Sequence, residues 1–465
     1  MVSGIDVFVM LLYLAVLAAI GFASIRSVHN HRDFLVAGGR LGYGLYVPAM
    51  AAVVLGGAST LGGSGLGYTY GISGMWLVLM IGLGIIGMGV LFAKPLSRVQ
   101  VYSVSELLGQ RFGPGSRTIS AVIMAVYDLM VCVTGVIAMG IVLSTLFGLS
   151  DTEAIILGGC VVLLYTILGG MWAVTLTDVI QFWVMTVGLI FLLLPIGLYH
   201  VGGVGALLEQ VDPAQVNLVN LGGDRIFSYF LLYFFGMMIG QDIWQRAFTA
   251  KNETVLRKGT IYAGFYCILY AVAGALIGMT ASVLLPGLAD PQQAIPQLAM
   301  HYLPVGLFGL VMAAIASAVM STASGTIMAS ATVIVNDLFL PYAKKEYSDR
   351  DKLNLTRLVL LVAGACAIFI AAWLKDIVVA LDVAYALLTG SVFIPILAAF
   401  FWKKVTARVT LLAMAVSSIV VIADLILEGL ASLNAIVLGI AASGITMLIG
   451  TWFSSRRSAE EKASI

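Results

Sequence analysis

Long apolar stretches separated by short polar breaks follow one another along the whole chain. A helix needs about 20 mostly apolar residues to cross the hydrocarbon of a bilayer. The pattern divides into thirteen such segments: 5–24, 42–65, 73–94, 118–147, 152–170, 175–199, 226–249, 259–285, 303–337, 355–374, 377–402, 406–427 and 431–453. The expected fold class is an all-α membrane protein in which the lipid bilayer is the solvent.

Composition agrees, and charge adds a direction. Of 465 residues 61% are hydrophobic and only 10% charged, and the mean hydropathy is +1.06, more apolar surface than a soluble core absorbs. A net charge of +1 points to neither nucleic acid nor an acidic partner. Asp6 precedes the first apolar run and Arg26 and Arg32 follow it, the charge order of a retained first helix rather than a signal peptide. With the N-terminus outside, all but two of the 24 Lys and Arg, Arg225 and Lys375, fall on the cytoplasmic side, as the positive-inside rule requires. The expected placement is multi-pass in the plasma membrane, with a short polar cytoplasmic tail, 454–465, too short for a signalling output domain. That disfavours a membrane sensor. The four cysteines, Cys132, Cys160, Cys267 and Cys366, sit in apolar segments without metal-ligand spacing and read as reduced, packed thiols.

Two segments carry breaks. Residues 42–71 contain Gly56, Gly57, Gly62, Gly63, Gly65, Gly67 and Gly71 around Ser59 and Thr60, and residues 226–249 contain Gly236 and Gly240 before Gln241 and Asp242. Small residues also serve close helix packing, but glycine-broken segments heading each half are the sign of an inverted repeat, because unwound backbone is tolerated at membrane depth where it lines a cavity. In segment 303–337, Ala318, Ser321, Thr322 and Gly325 share one helical face. Such a stripe serves packing more often than ion binding, yet its hydroxyls are the hard oxygens a small cation needs. Buried acids are functional candidates by default. Asp128 and Asp242 are expected at depth, Asp128 being either a functional acid or a structural one satisfied by a tyrosine or backbone donor. Asp178 is expected near the cytoplasmic start of its segment and Asp382 near water at a helix end. No Lys or Arg is expected deep in the membrane, and Arg246 is expected as a cytoplasmic anchor or gate. The histidines, 29, 31, 200 and 301, show no metal spacing, and no phosphate-binding loop is present. An intramembrane hydrolase or ATP-driven pump is therefore disfavoured, leaving an ion-gradient transporter or a channel.

The chain resembles the sodium:solute symporter family over nearly its whole length, on the stretches Asp33 to Gly42 (DFLVAGGRLG), Gly169 to Gln181 (GGMWAVTLTDVIQ), Ala316 to Ser324 (ASAVMSTAS) and Tyr385 to Trp402 before Lys403 and Lys404. The resemblance implies a leucine-transporter-type fold: two inverted five-helix repeats, here about 42–199 and 226–402, with one helix before them and two after. It also implies Na+ as the coupling ion, held by Ala52 and Leu55 carbonyls with Ala318, Ser321 and Thr322. Some relatives hold a second sodium at positions matching Asp178, Ser321, Ser324 and Gly325, and Gly325 lacks the hydroxyl found there. The central solute site would comprise Gly56, Gly57, Ser59, Thr60, Asp128, Val131, Gln241, Asp242 and Tyr385. Val54 stands where proline symporters have an aspartate, and Thr60, Val131 and Gln241 where the choline branch has tryptophans. A quaternary ammonium needs aromatic faces, so choline is not the expected solute. Asp128 and Asp242 point instead to an amino-acid-like zwitterion or amine, with a monocarboxylate or other small metabolite as the alternative.

Overall fold

The computed structural model describes residues 2–24, 35–99 and 101–463. Arg26, His29, His31, Arg32 and Asp33, used in the sequence reading, lie outside the described residues, as do the side chains of Arg456, Arg457 and Lys462. The described chain is helical, with one isolated bridge between Leu41 and Ala250. Its exterior carries apolar side chains such as Phe8, Phe191, Phe369, Trp373 and Ile419, whereas Asp128, Asp178, Gln181, Asp242, Gln245 and Arg246 are buried. This is the arrangement a lipid solvent selects. All four cysteines are free. Cys132 and Cys267 are packed as expected, but Cys160 and Cys366 face outward.

The helices that frame the interior are α1 (Gly4–Ser24), α2 (Tyr43–Val54), α3 (Gly63–Tyr70), α4 (Trp76–Leu91), α5 (Val104–Phe112), α6 (Pro114–Phe147) and α7 (Asp151–Met185). They are followed by α8 (Gly223–Tyr229), α9 (Gln241–Ala247), α10 (Glu253–Leu284), α11 (Ala294–Tyr302), α12 (Leu307–Val333), α13 (Asp349–Leu374), α14 (Ile377–Phe401), α15 (Ala407–Leu427) and α16 (Asn434–Ala463). Local chemistry sets many of their ends. Pro114 opens α6 after Gly113, and Gly148 closes it in the left-handed region. Ser150 and Glu153 form a capping box on α7, and Asn252, Ser348 and Asp376 cap α10, α13 and α14.

Nine helices among the described residues are long and apolar enough to cross a membrane, ten with the bent pair that ends in α9. The thirteen predicted segments are therefore not reproduced as thirteen membrane-length helices. Gly4–Ile20 and Tyr43–Val54 are shorter than a full span. The helical run Ala58–Leu91 doubles back at Gly71 (φ 66°). Along α10, Gly67 meets Ala275, Gly82 meets Gly264, and Gly89 meets Arg257, so α3 climbs beside α10 and α4 descends. A Cβ at Gly67 or Gly278 would fall within 2.7 or 2.2 Å of the facing backbone, the close approach that small residues permit in membranes. The predicted break between 170 and 175 is also absent: helical backbone continues from Asp151 to Val201.

The two broken helices are where the glycines place them. α2 ends at Val54, Leu55 leaves the helix (ψ 59°), and a π turn, Ala58–Gly62, restarts it into α3. The second break, Met238–Gly240, lies between Phe235–Met237 and α9, with a bend of 41°.

Candidate functional site

Ending a helix inside the molecule frees its last carbonyls. In α2 two of them are taken by hydroxyls: Thr322 Oγ1 donates to Val53 O at 2.7 Å, and Ser59 Oγ donates to Val54 O at 2.9 Å. The first bond ties α2 to the middle of α12, and Gly56 makes it possible, since a Cβ there would lie 2.4 Å from Thr322 Oγ1. At the second break the indole of Trp244 donates to Met238 O at 2.8 Å.

Between the breaks lies a cavity of about 20 Å³ lined by Val53, Val54, Gly56, Ala58, Ser59, Ile81, Val131, Thr134, Met237, Asp242, Thr322, Leu381 and Tyr385. That volume holds about one water. Of the residues expected at the solute site, Gly56, Ser59, Val131, Asp242 and Tyr385 line the cavity. Gly57 packs on α6 beside Thr134 and Ala138. The Tyr127 hydroxyl stands 3.1 Å from Asp242 Oδ1 and 2.8 Å from the Tyr385 hydroxyl, joining α6, α9 and α14.

Other expected residues face elsewhere. Thr60 Oγ1 is 2.8 Å from the Tyr270 hydroxyl, on the α10 side. Gln241 accepts from Val104 N at 2.8 Å and donates to Tyr102 O at 3.3 Å, fastening the start of α5 instead of facing the cavity. Asp128 is fully buried beside the backbone amide of Asp242 but has no hydrogen bond in good geometry among the described residues. Of the two structural donors expected, a tyrosine or the backbone, no tyrosine holds Asp128 among the described residues, and the backbone amide of Asp242 is the donor beside it. Sequence reasoning missed Val53, Ile81, Thr134, Met237 and Leu381 on the cavity wall. Thr134 stands one helical turn beyond Val131, a hydroxyl that helical spacing alone would have reached.

Around the expected sodium position, Ala52, Leu55, Ala318, Ser321 and Ser324 are buried completely and Thr322 almost so. Ala52 O belongs to the freed end of α2 and Leu55 O to the break itself. With the Ser321 and Thr322 hydroxyls these are the hard neutral oxygens that suit an alkali cation. Ser321 Oγ donates to Asp178 Oδ1 at 2.7 Å, and Ser324 Oγ to Ser321 O at 3.2 Å. Two expectations about charge are corrected. No deep Lys or Arg was expected, yet Arg246, expected as a cytoplasmic anchor or gate, is 1% exposed, and its Nη2 pairs with Asp178 Oδ2 at 2.9 Å. A Cβ on Gly325 would reach within 2.9 Å of that guanidinium. Asp382 is not solvated either, being buried and accepting a hydrogen bond from Tyr233. In both cases a helix-end position gave no warning of a partner on another helix.

Residues 34–417 match the sodium:solute symporter family. Over 454 residues the chain is 27% identical to a sodium/glucose cotransporter of Vibrio parahaemolyticus, covering 87% of this chain and 82% of the other. It is 28% identical over 431 residues to the high-affinity proline transporter PutP of Bacillus subtilis (87% and 88% covered), and 26% over 416 residues to a sodium/pantothenate symporter of Haemophilus influenzae (86% of each). The fold superposes on a sodium-coupled sialic acid symporter in a substrate-bound outward-open state with a TM-score of 0.83 at 19% identity, covering 97% of this chain and 98% of the other. That superposition establishes the leucine-transporter-like fold expected from the sequence, and the family match over residues 34–417 gives Na+ as the coupling ion. With the broken helices, the polar interior and this match across most of its length, the chain belongs to the sodium:solute symporter family and carries out sodium-coupled solute symport.

Proposed function

We propose that the chain imports a small amino-acid-like zwitterion or amine, bound in the central cavity between the two broken helices. The observation that carries this is the excess of buried acidic over basic side chains at the centre. Asp128 and Asp242 are buried next to each other, and the buried guanidinium of Arg246 is committed to a third buried acid, Asp178. Asp242 lines the cavity and suits an ammonium group, while the first N–H groups of the limb that restarts at Ala58 suit a carboxylate. A monocarboxylate would use those N–H groups but would leave Asp242 uncompensated inside the membrane, which is costly.

Sodium at Ala52, Leu55, Ala318, Ser321 and Thr322 would tie α2 to α12 and favour solute binding by linkage. Asp178 and Ser324 are the remaining candidates for a second ion. In this reading the repeats at 42–199 and 226–402 rock against each other to alternate access. The chain is placed in the plasma membrane with the start of α1 outside and the end of α16 in the cytoplasm. The test is a thermal-shift screen of amino acids, amines and monocarboxylates in sodium against choline buffer. A stabilising solute raises the melting temperature only with sodium, and amino acids or amines should be the class that does so. Stabilisation by monocarboxylates alone, surviving Asp242→Asn, would establish the other class.

A further inference from the structure

Asp128 on α6 and Asp242 in the first turn of α9 lie side by side inside the molecule, both buried, and among the described residues neither takes part in an ion pair. Arg246 acts on Asp242 only as one half of its pair with Asp178. The other titratable groups around Asp128 are Tyr127 and Cys132 of its own helix and Tyr385 of α14. α12 packs on the same part of α6, where Ser330 Oγ donates to Ala125 O at 3.1 Å, and it carries no titratable residue from Leu307 to Val333. Two adjoining carboxyl groups with no cation between them cannot both be ionised inside a membrane, so such a pair holds a proton.

The two acids differ in their donors. Asp242 Oδ1 accepts from the Tyr127 hydroxyl at 3.1 Å, and the amide of Ile243 also serves this carboxyl. Gly240 leaves room for that contact, since a Cβ there would lie 2.8 Å from both Asp242 Oδ1 and the Tyr127 hydroxyl. Asp128 has the Asp242 amide beside it and no hydroxyl, and neither of its oxygens has a well-formed hydrogen bond among the described residues. Donors favour the ionised form, so Asp242 is the carboxylate and Asp128 the acid, whose O–H has the acceptor it needs in its neighbour. Of the two, only Asp242 lines the central cavity. An ammonium group bound there meets the carboxylate and leaves the acid behind it. Two carboxyl groups, one proton and one ammonium carry no net charge, whereas losing the proton as well would strand a charge in the membrane.

We propose that Asp128 is a resident proton site: a carboxylic acid that keeps its proton throughout transport, leaves the central site a single negative charge on Asp242, and so restricts the solute to one ammonium group at that point. The proposal rests on the zwitterion or amine reading of the central site. Its test is infrared spectroscopy of the purified full chain. The carbonyl band of a protonated carboxylic acid should shift in deuterium oxide and persist when propylamine or L-alanine binds in sodium buffer. It should vanish in Asp128→Asn and move without vanishing in Asp128→Glu. By calorimetry in two buffers of different ionisation heat, propylamine should bind with no proton taken up or released, and the diamine putrescine should bind at least about tenfold more weakly. A band that is absent, or indifferent to Asp128→Asn, would overturn the resident acid, as would proton release when propylamine binds. Putrescine binding as tightly as propylamine would overturn the single charge. If neither propylamine nor L-alanine binds while the band follows Asp128, the solute reading fails and the resident acid stands.

Discussion

Gly56 and Thr322 form a close contact at the centre of the molecule, and both can be tested by one atom. Gly56→Ala drives a methyl into Thr322 Oγ1 at 2.4 Å, so transport should fall at least about tenfold, the effect of losing a single well-placed interaction. Gly42→Ala, whose new Cβ would have only Lys251 Nζ 3.9 Å away, should transport normally. Ser321→Ala or Thr322→Ala should raise the sodium concentration needed for half-maximal uptake. Each costs about 1 kcal/mol of stability for the lost hydrogen bond, and unchanged sodium dependence in both would remove them from the ion site. Ser321 and Thr322 were legible in the sequence because hydroxyls on a small-residue face are conspicuous among apolar neighbours. Arg246 was not legible at its true depth. Its position at the end of an apolar segment reads as a membrane anchor, and only Asp178, 68 residues away in the chain, draws it inside.

At the scale of elements, that ion pair joins α7 to α9, while Ser321 brings α12 onto the same carboxylate. Removing one partner leaves a buried charge uncompensated, at a cost of about 3–5 kcal/mol. Asp178→Ala should therefore lower the unfolding midpoint in detergent substantially. Replacing Arg246 by leucine in the same chain should recover most of the loss; equal instability of the single and double variants would deny that the pair is what matters. The broken helices were readable because glycine runs at membrane depth have few uses. The number of spans was less readable. Apolar length does not record that the chain turns back at Gly71, nor that helix persists through residues 170–175, since both follow from packing against α10 and neighbouring helices, not from local hydropathy.

For the whole molecule, the ends of the helices fix the vertical order. Asp6 accepts from Gly306 N at 2.7 Å and Gly309 N at 3.0 Å, placing the start of α1 beside the start of α12, and Arg117 pairs with Asp337 at 2.8 Å at the opposite end. With the start of α1 outside, Val219→Cys in the loop over the Gly71 turn should react with an impermeant thiol reagent in right-side-out vesicles and Lys345→Cys should not; the reverse would invert the topology. The central claim, that a sodium gradient drives a solute through the space between the broken helices, is tested most directly in proteoliposomes. Labelled amino acids should accumulate above their external concentration under an inward sodium gradient, faster with the interior negative, and not under an equal potassium gradient. Uptake indifferent to both sodium and membrane potential would contradict it.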